Sequence, residues 1–274
     1  MALDRRKEGN SVLRQTQLTE LYLLEVLDEI CEKHKIPYYL AGGTLLGALR
    51  HNGFIPWDDD IDVGMLEPDY RRFKKIVRSC LPEGICFQDE KEMHNLCPCG
   101  KLRDQKSFFF NGVGCSDGQD RKYYGVPIDI FYDVKAPNLS DRWLYRLQRF
   151  RAGPYVRWHR LLNRQRRSVV LRLFDTFQAS GWKVVHGIAI IVWHLICLIR
   201  PSQIWYTVPE SGFSSHVPQE VLFPFKKHIF EGREFPVPND SERYLTAVYG
   251  NWREIPPPDK RPKHSAFVIP CVGS

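Results

Sequence analysis

The sequence lacks the fingerprints of two large enzyme classes. It contains no G-x-G-x-x-G segment and no glycine followed by Lys-Ser or Lys-Thr, so dinucleotide hydride transfer and P-loop hydrolysis are disfavoured. It has no internal repeat, and its most apolar run, Val184 to Ile199, falls short of the ~20 residues that a spanning helix needs. A buried or interfacial helix is therefore predicted there rather than a spanning one.

A secretory context is not indicated either. The first ten residues are charged and lack the apolar stretch and cleavage site of a signal peptide. The eight cysteines follow no regular framework, so we expect reduced thiols and a cytoplasmic protein. Zinc ligation by His94, Cys97, Cys99 and Cys115 is an alternative, but their C-x-C spacing is not that of a common zinc ribbon and favours ordinary loop and core thiols.

Hydrophobic periodicity predicts a mixed α/β (α+β) fold in the first half of the chain. Strand and helix patterns alternate there, with a glycine-rich loop at 111–125. The predicted helices are 18–31, 44–50 and one that begins near Pro68; the predicted strands are 36–41, 54–65, 101–104, 107–110 and 127–133.

Three segments are predicted along the chain. A catalytic core spans residues 1–137, a basic and then apolar helical subdomain spans 138–200, and a segment that packs back on the core spans 201–274. The last segment is expected to be proline-rich loop with one helix from Asp240 to Tyr249, capped by Asn239.

An acidic cluster is the strongest chemical signal. If the chain is extended at Asp58, Asp60 and Asp62, these carboxylates share one face of a strand. Three like charges on one face repel unless a cation neutralises them, and oxygen ligands suit Mg²⁺ or Mn²⁺. We therefore predict a metal site, against the simpler interpretation of a solvated acidic loop.

A glycine turn precedes this cluster. Gly42, Gly43 and Thr44 follow a predicted strand and begin a helix, where backbone N–H groups and the helix dipole favour a phosphate. A glycine turn, a helix and then D-x-D on the next strand resembles nucleotidyltransferase-fold enzymes, which take a third carboxylate from a later strand. Asp129 is the best candidate for that carboxylate, and Asp133 is the weaker one.

A longer segment resembles one family more closely. The run from Tyr39 to Asp62, YLAGGTLLGALRHNGFIPWDDDID, closely resembles the LicD family, which is similar to fukutin and fukutin-related protein. The resemblance continues through 101–104, 128–131 and 249–264. It implies a nucleotidyltransferase-like mixed sheet core and an enzyme that moves phosphocholine, or phosphoribitol, from a CDP-linked donor to a glycan hydroxyl, as in lipopolysaccharide or teichoic acid modification.

On this interpretation Asp58, Asp60 and Asp62 bind the metal, while Asp129 is either a further ligand or the base that takes the hydroxyl proton. Asp60, Asp62 and Asp129 are the predicted catalytic residues. Donor contacts are expected from the glycine turn and from basic side chains elsewhere. The basic candidates are Arg50, Lys101, Arg103, Lys260, Arg261 and His264.

The net charge of +7 suits a polyanionic partner, and arginines mixed with aromatic residues are frequent between 142 and 172. We expect peripheral membrane contact through 142–200, with a lipid-linked glycan acceptor, and no nucleic-acid partner. Two alternatives remain at this stage. One is transfer of the nucleotide itself to a small molecule or RNA; the other is a non-enzymatic membrane or nucleic-acid-binding module.

Overall fold

The structure is a computed structural model that describes residues 2–89, 92, 99–110, 123–162, 168–202, 204–207, 216–261 and 267–271. The chain divides into two compact units. The first comprises 1–92, 99–133 and 220–274, and the second comprises 93–98 and 134–219. The mixed α/β class predicted from the sequence is confirmed. The three predicted segments stay a prediction as independently folding domains.

The first unit contains most of the strands. Its helices are α1 (Val12–His34), α2 (Gly42–His51), α3 (Glu67–Cys80), α6 (Gln219–Leu222) and α7 (Ser241–Tyr249). Its strands are β1 (Tyr39–Leu40), β2 (Asp62–Leu66), β3 (Ile85–Gln88), β4 (Gly100–Asp104), β5 (Phe108–Phe110), β6 (Pro127–Lys135), β9 (Lys226–Phe230), β10 (Arg233–Val237) and β11 (Phe267–Ile269).

The central sheet has the order β1-β2-β6-β4-β3. Strands β2 and β6 run parallel, whereas β1 is antiparallel to β2 and β4 is antiparallel to β6. The pairs β9–β10 and β5–β11 form separate two-stranded sheets. The parallel pair at the centre of the sheet brings residues 62 and 129, which are far apart in sequence, side by side.

Helix α1 packs beside β4, β11 and α3, and most of its residues from Thr16 to Cys31 are buried. Ser11 caps it by accepting the N–H of Arg14, and Lys35 ends it in the left-handed conformation. Its leucines from Leu18 to Leu27 are almost fully buried, as the periodicity predicts, but so are the polar side chains of Gln17, Glu20 and Glu25. Buried polar groups in a helix require partners or a function.

The second unit consists of two long helices and a short hairpin. Helices α4 (Asp141–Leu162) and α5 (Val169–Ile199) pack against each other, and β7 (Ile204–Thr207) pairs with β8 (His216–Pro218). Trp193 is buried and donates its indole N–H to the Lys135 carbonyl at 2.9 Å. Among the described residues, α5 is the one helix that is long and apolar enough to cross a membrane.

Several local predictions are corrected by the structure. The predicted strand 54–65 begins only at Asp62, because the chain turns at 55–58, where the Asp58 N–H donates to the Ile55 carbonyl. Asp240, not Asn239, caps α7 by accepting the Arg243 N–H. The tail carries the β9–β10 hairpin, and β3 was missed altogether. Of the predicted glycine-rich loop, residues 111–122 lie outside the described residues.

The helix predicted at 184–199 is longer than the apolar run, and of its two predicted placements, buried or interfacial, the buried one is wrong. The apolar run is the second half of the 31-residue helix α5, because Val169 to Lys183 continue the same helix. Only 11% of its most apolar 18-residue window is buried. Helix α5 is therefore not a buried core helix. Its interfacial placement stays a prediction.

Candidate active site

The candidate site is built where β1 ends, α2 begins and β2 starts. The N–H of Ala41 donates to the Asp62 carbonyl at 3.0 Å, and the N–H of Asp62 donates to Thr44 Oγ1 at 2.7 Å. These two hydrogen bonds tie the glycine turn to the first residue of β2. The sequence-predicted phosphate turn and acidic cluster are therefore one structure.

Two of the acidic side chains lie against the start of α2. Gly42 adopts φ +52°, and a Cβ built on it would lie 2.6 Å from Asp62 Oδ2. A Cβ on Gly43 would lie 2.9 Å from Asp58 Oδ2. Glycine is thus favoured at Gly42 by its backbone conformation, and at both positions an added Cβ would displace a carboxylate. The carboxylates stand beside the N-terminus of a helix, where the dipole stabilises negative charge.

The segment Asp58–Asp60 is irregular chain that follows the turn at 56–57, so the strand predicted there begins only at Asp62. Asp58 and Asp59 are both buried, and Gln17 donates its side-chain N–H to the Asp58 carbonyl at 3.0 Å. Burial raises the pKa of Asp58 to about 6, opposed by a hydrogen bond with Asp60. The side chains of Asp58 and Asp60 are therefore close together, in a segment that is not part of the predicted strand.

Asp129 joins the cluster from β6. It lies opposite Asp62 in the parallel register and opposite Lys101 on β4, whose ammonium forms an ion pair with its carboxylate. The pKa of Asp62 is raised well above its usual value by removal from water and by the charges of Asp60, Asp129 and Asp58. The structure therefore brings together all four carboxylates predicted for the site.

Asp133 has a different environment. It is buried four residues further along β6, and the Tyr39 hydroxyl donates to its Oδ2 at 2.5 Å. Tyr39 in turn packs edge-on against Tyr244 of α7. Asp133 is thus part of a buried hydrogen-bonding contact, which agrees with Asp129 as the better candidate.

A fifth carboxylate, Glu20 of α1, was missed from the sequence. Its exposed fraction is 0%, and among the residues that the structure describes neither carboxylate oxygen has a hydrogen-bond partner. Its pKa is raised well above the usual value by burial and by the charges of Asp60, Asp59, Asp58 and Asp129. Glu20 therefore lies within electrostatic reach of the cluster. Its only sequence signal was a polar face shared with Gln17, which also fits a solvated helix face.

The C-terminal segment supplies two neighbours. Tyr249, at the end of α7, has a raised pKa because of burial and the charges of Asp62, Asp60 and Asp58. The guanidinium of Arg261 lies 3.9 Å from the centre of the Trp57 ring. This cation–π contact holds Arg261 beside the residue that precedes Asp58. His264, the other residue predicted here, lies outside the described residues.

The remaining basic candidates have other contacts. Arg50 donates to the Glu254 carbonyl at 3.2 Å and lies 6.0 Å from the Trp252 ring centre. Arg103 is buried and donates to Gln88 and to the Gly125 carbonyl, so it holds neighbouring strands together. Their predicted contacts with donor phosphates stay predictions.

The carboxylates of Asp58, Asp60, Asp62 and Asp129 can be compared with the ligands that a divalent cation prefers. Within the described part of the chain, no group of three or more His, Cys, Asp or Glu side chains is already arranged to hold a metal ion. The donors are nonetheless all oxygen, which Mg²⁺ and Mn²⁺ prefer. The partnerless buried Glu20 and the mutually raised pKa values also indicate missing positive charge. The set fits a cation by chemistry and charge.

Comparison with known proteins places the chain. The family model described as LicD/FKTN/FKRP, nucleotidyltransferase domain, matches residues 35–152. Lipopolysaccharide cholinephosphotransferase LicD of Haemophilus influenzae is 30% identical over 94% of this chain and 98% of its own length. Ribitol 5-phosphate transferase FKRP of Homo sapiens is 44% identical over 57 residues, which are 21% of this chain and 11% of that protein. The LicD match runs along almost the whole chain, and the FKRP match is local. Together these similarities show that the chain belongs to the LicD family of phosphotransferases.

Proposed function

We propose that the protein transfers a substituted phosphate group, phosphocholine first among the candidates, from a CDP-activated donor to a hydroxyl of a cell-surface glycan or its lipid-linked precursor. The observation that carries this proposal is the junction of the glycine turn at Gly42–Gly43 with the carboxylates of Asp58, Asp60, Asp62 and Asp129. The name of the Haemophilus relative supports the group and the acceptor class. The name of FKRP supports ribitol phosphate as the alternative group.

Mg²⁺ or Mn²⁺ is the proposed cofactor. Asp58, Asp60 and Asp62 would hold it, with Asp129 either as a further ligand or as the base. When bound, the ion neutralises negative charge on the donor diphosphate and on its leaving oxygen. The fit of this oxygen-rich, strongly acidic set supports the assignment.

The proposed reaction is a displacement at the phosphorus that carries choline. The acceptor hydroxyl oxygen bonds to the phosphorus that carries choline, the bond from that phosphorus to the bridging oxygen breaks, and CMP leaves with the bonding electrons. The hydroxyl proton passes to a carboxylate, for which Asp129 is the candidate. Lys101 holds Asp129 by an ion pair and so fixes the direction of its carboxylate. Gly42 and Gly43 leave space for the Asp62 and Asp58 carboxylates beside the start of α2.

The test compares two donors. The purified protein is incubated with CDP-choline or CDP-ribitol, Mg²⁺ or Mn²⁺ and a panel of glycan acceptors, while CMP release and acceptor mass are measured. Asp60→Ala is the site variant, and Glu83→Ala, an exposed acid outside the site, is the matched control. With CDP-choline we expect CMP release and an increase in acceptor mass equal to one phosphocholine group. Asp60→Ala should abolish both signals, and Glu83→Ala should retain them. Equal activity in Asp60→Ala would contradict the proposed site.

Transfer of the nucleotide itself is the second candidate, because the matching family model is described as a nucleotidyltransferase domain. Attack at the other phosphorus would attach CMP to the acceptor and release phosphocholine. The same mass measurement separates the two reactions. Family membership sets aside the non-enzymatic alternative, while the cytoplasmic location and the absence of a nucleic-acid partner stay predictions.

A further inference from the structure

Helix α5 presents one continuous apolar stripe to the outside of its unit. The side chains recur at steps of three, four or seven residues, so they share one face over the whole helix. Each is at least half exposed. They are Val170, Leu173, Phe177, Val184, Ile188, Ile191, Leu195 and Leu198. This apolar stripe is far larger than the scattered single residues that a soluble surface usually carries.

The opposite face of α5 packs within the unit. Asp175, Ala179, Ala189 and Trp193 are buried there. The Arg157 guanidinium of α4 lies 4.6 Å from the Trp182 ring centre, and Lys183 lies 5.4 Å from the ring centre of Trp158. The two faces of α5 are therefore distinct: one packs against α4, and the other is uncovered by the described residues of this unit.

Helix α4 adds exposed aromatic residues beside cations. Trp143 and Tyr145 are each 58% exposed, and Arg146 and Arg149 lie over their rings at 5.0 and 5.8 Å. Paired aromatic and guanidinium groups suit the headgroup region of a bilayer, where an apolar ring meets water and phosphate.

The charge of this unit is strongly positive. Residues 134–219 contain thirteen Lys and Arg residues but only three Asp and Glu residues, Asp141, Asp175 and Glu210. The whole chain has a net charge of only +7, so its positive excess lies in this unit. A surface that is both apolar and cationic complements anionic lipid.

We propose that the α4–α5 pair docks on the surface of an anionic lipid bilayer, with the apolar stripe of α5 buried at the level of the headgroups and upper acyl chains. A second copy of this chain is disfavoured as the occupant because it would bring the same positive charge against this one. A spanning orientation is disfavoured because α4 carries six arginines, which are costly in hydrocarbon. The proposal is independent of the chemistry of the catalytic unit.

The test uses the full-length protein and sedimentation with vesicles of phosphatidylcholine alone or with phosphatidylglycerol. The double substitution Ile188→Asp and Leu195→Asp places negative charge on the apolar stripe. Both side chains are more than half exposed, so the substitutions should not affect folding. Val12→Asp is the matched control, because Val12 is 56% exposed at the start of α1 in the other unit. Circular dichroism and the melting temperature confirm that each variant is folded.

We expect binding to the anionic vesicles that falls as salt is added, and a loss of more than about tenfold in the double variant but not in Val12→Asp. Absence of binding to anionic vesicles overturns the proposal. So does equal loss in the control, or a dimer in sedimentation velocity that the double variant dissociates, which would assign the stripe to a second copy. If alkaline carbonate does not extract the protein from bacterial membranes and only detergent releases it, α5 is a spanning helix and the proposal is overturned.

Discussion

Asp62 and Asp129 lie directly opposite each other on the parallel strands β2 and β6. The N–H of Asp129 donates to the Ile61 carbonyl at 2.8 Å, so the backbone ladder fixes this relationship. Each carboxylate is held by its own strand, and neither strand can shift without breaking sheet hydrogen bonds. We therefore expect substitutions in the cluster to change its charge and chemistry more than its backbone.

Glu20→Gln should stabilise the protein when divalent cations are removed. A buried carboxylate without a partner is costly in its charged form, and its raised pKa means that the wild-type protein loses stability as the pH rises through that pKa. With EDTA at pH 8, we expect the variant to melt a few degrees higher. With saturating Mn²⁺ the variant should gain less in melting temperature than wild type.

Glu25→Gln is the matched control for this substitution. Glu25 is also buried on α1, but Arg233 lies 3.2 Å from its carboxylate and the Leu3 N–H donates to it. Loss of this pair should lower the melting temperature with or without cation. An identical response of the two variants would mean that Glu20 has no special relation to the acidic cluster.

Asp58 should give the cation-free protein a distinctive pH dependence. Its folded pKa of about 6 lies above the reference value of 3.8, so its contribution to stability is fully present below pH 3.8 and is lost as the pH rises through 6. The difference corresponds to about 3 kcal/mol. Urea unfolding of wild type and Asp58→Asn between pH 4 and 7.5, with EDTA, isolates this term. A constant difference between them across that range would contradict the assignment.

Gly43→Ala should damage the site without unfolding the protein. An added Cβ would lie 2.9 Å from Asp58 Oδ2, so the carboxylate must move. We expect CMP release to fall at least about tenfold while helix content is unchanged, because alanine is otherwise favourable in a helix. Gly181→Ala is the control, since a Cβ there has no neighbour within 4 Å. Full activity in Gly43→Ala would show that Asp58 need not stay in place.

Lys101→Met should reduce turnover and leave Asp129 among like charges. The Lys101 ammonium forms an ion pair with the Asp129 carboxylate, and methionine keeps the length of the chain without its charge. We expect CMP release to fall by about a hundredfold. Lys101→Arg should restore part of it. If Lys101→Met increased cation-induced stabilisation, Asp129 would be a ligand, because the cation would no longer compete with the ammonium. If stabilisation did not change, the role of base would be favoured.

The sequence predicted those parts of the site that depend on local patterns. The glycines mark a turn at a helix start, and the alternation around Asp129 marks a strand. The pairing of Asp62 with Asp129 needed the resemblance to a family, because sequence separation says nothing about register. The strand was predicted to include Asp58–Asp60, but it begins only at Asp62, because alternation of polar and apolar residues does not fix where a strand starts.

Other features could not be predicted because they depend on packing. Glu20 is separated from Asp58 by nearly forty residues, and only folding shows that its helix face points inward. The apolar run Val184 to Ile199 is shorter than the ~20 residues of a spanning helix. The helix nevertheless continues towards its N-terminus through Lys183, whose charge lies over Trp158. The hairpin β9–β10 was not predicted because the prolines of this segment indicate a loop and interrupt the alternation of polar and apolar residues.

The catalytic unit is discontinuous, and this has a consequence for synthesis on the ribosome. Its last piece, 220–274, supplies β10, which packs beside β1, and α7, which packs beside α2. Arg14 of α1 also pairs with Glu231 at 2.5 Å. The helical pair 141–199 therefore leaves the ribosome before the catalytic unit can be completed. A nascent chain that reaches lipid through α4 and α5 would do so while still inactive, and the enzyme would first become active where it is already attached.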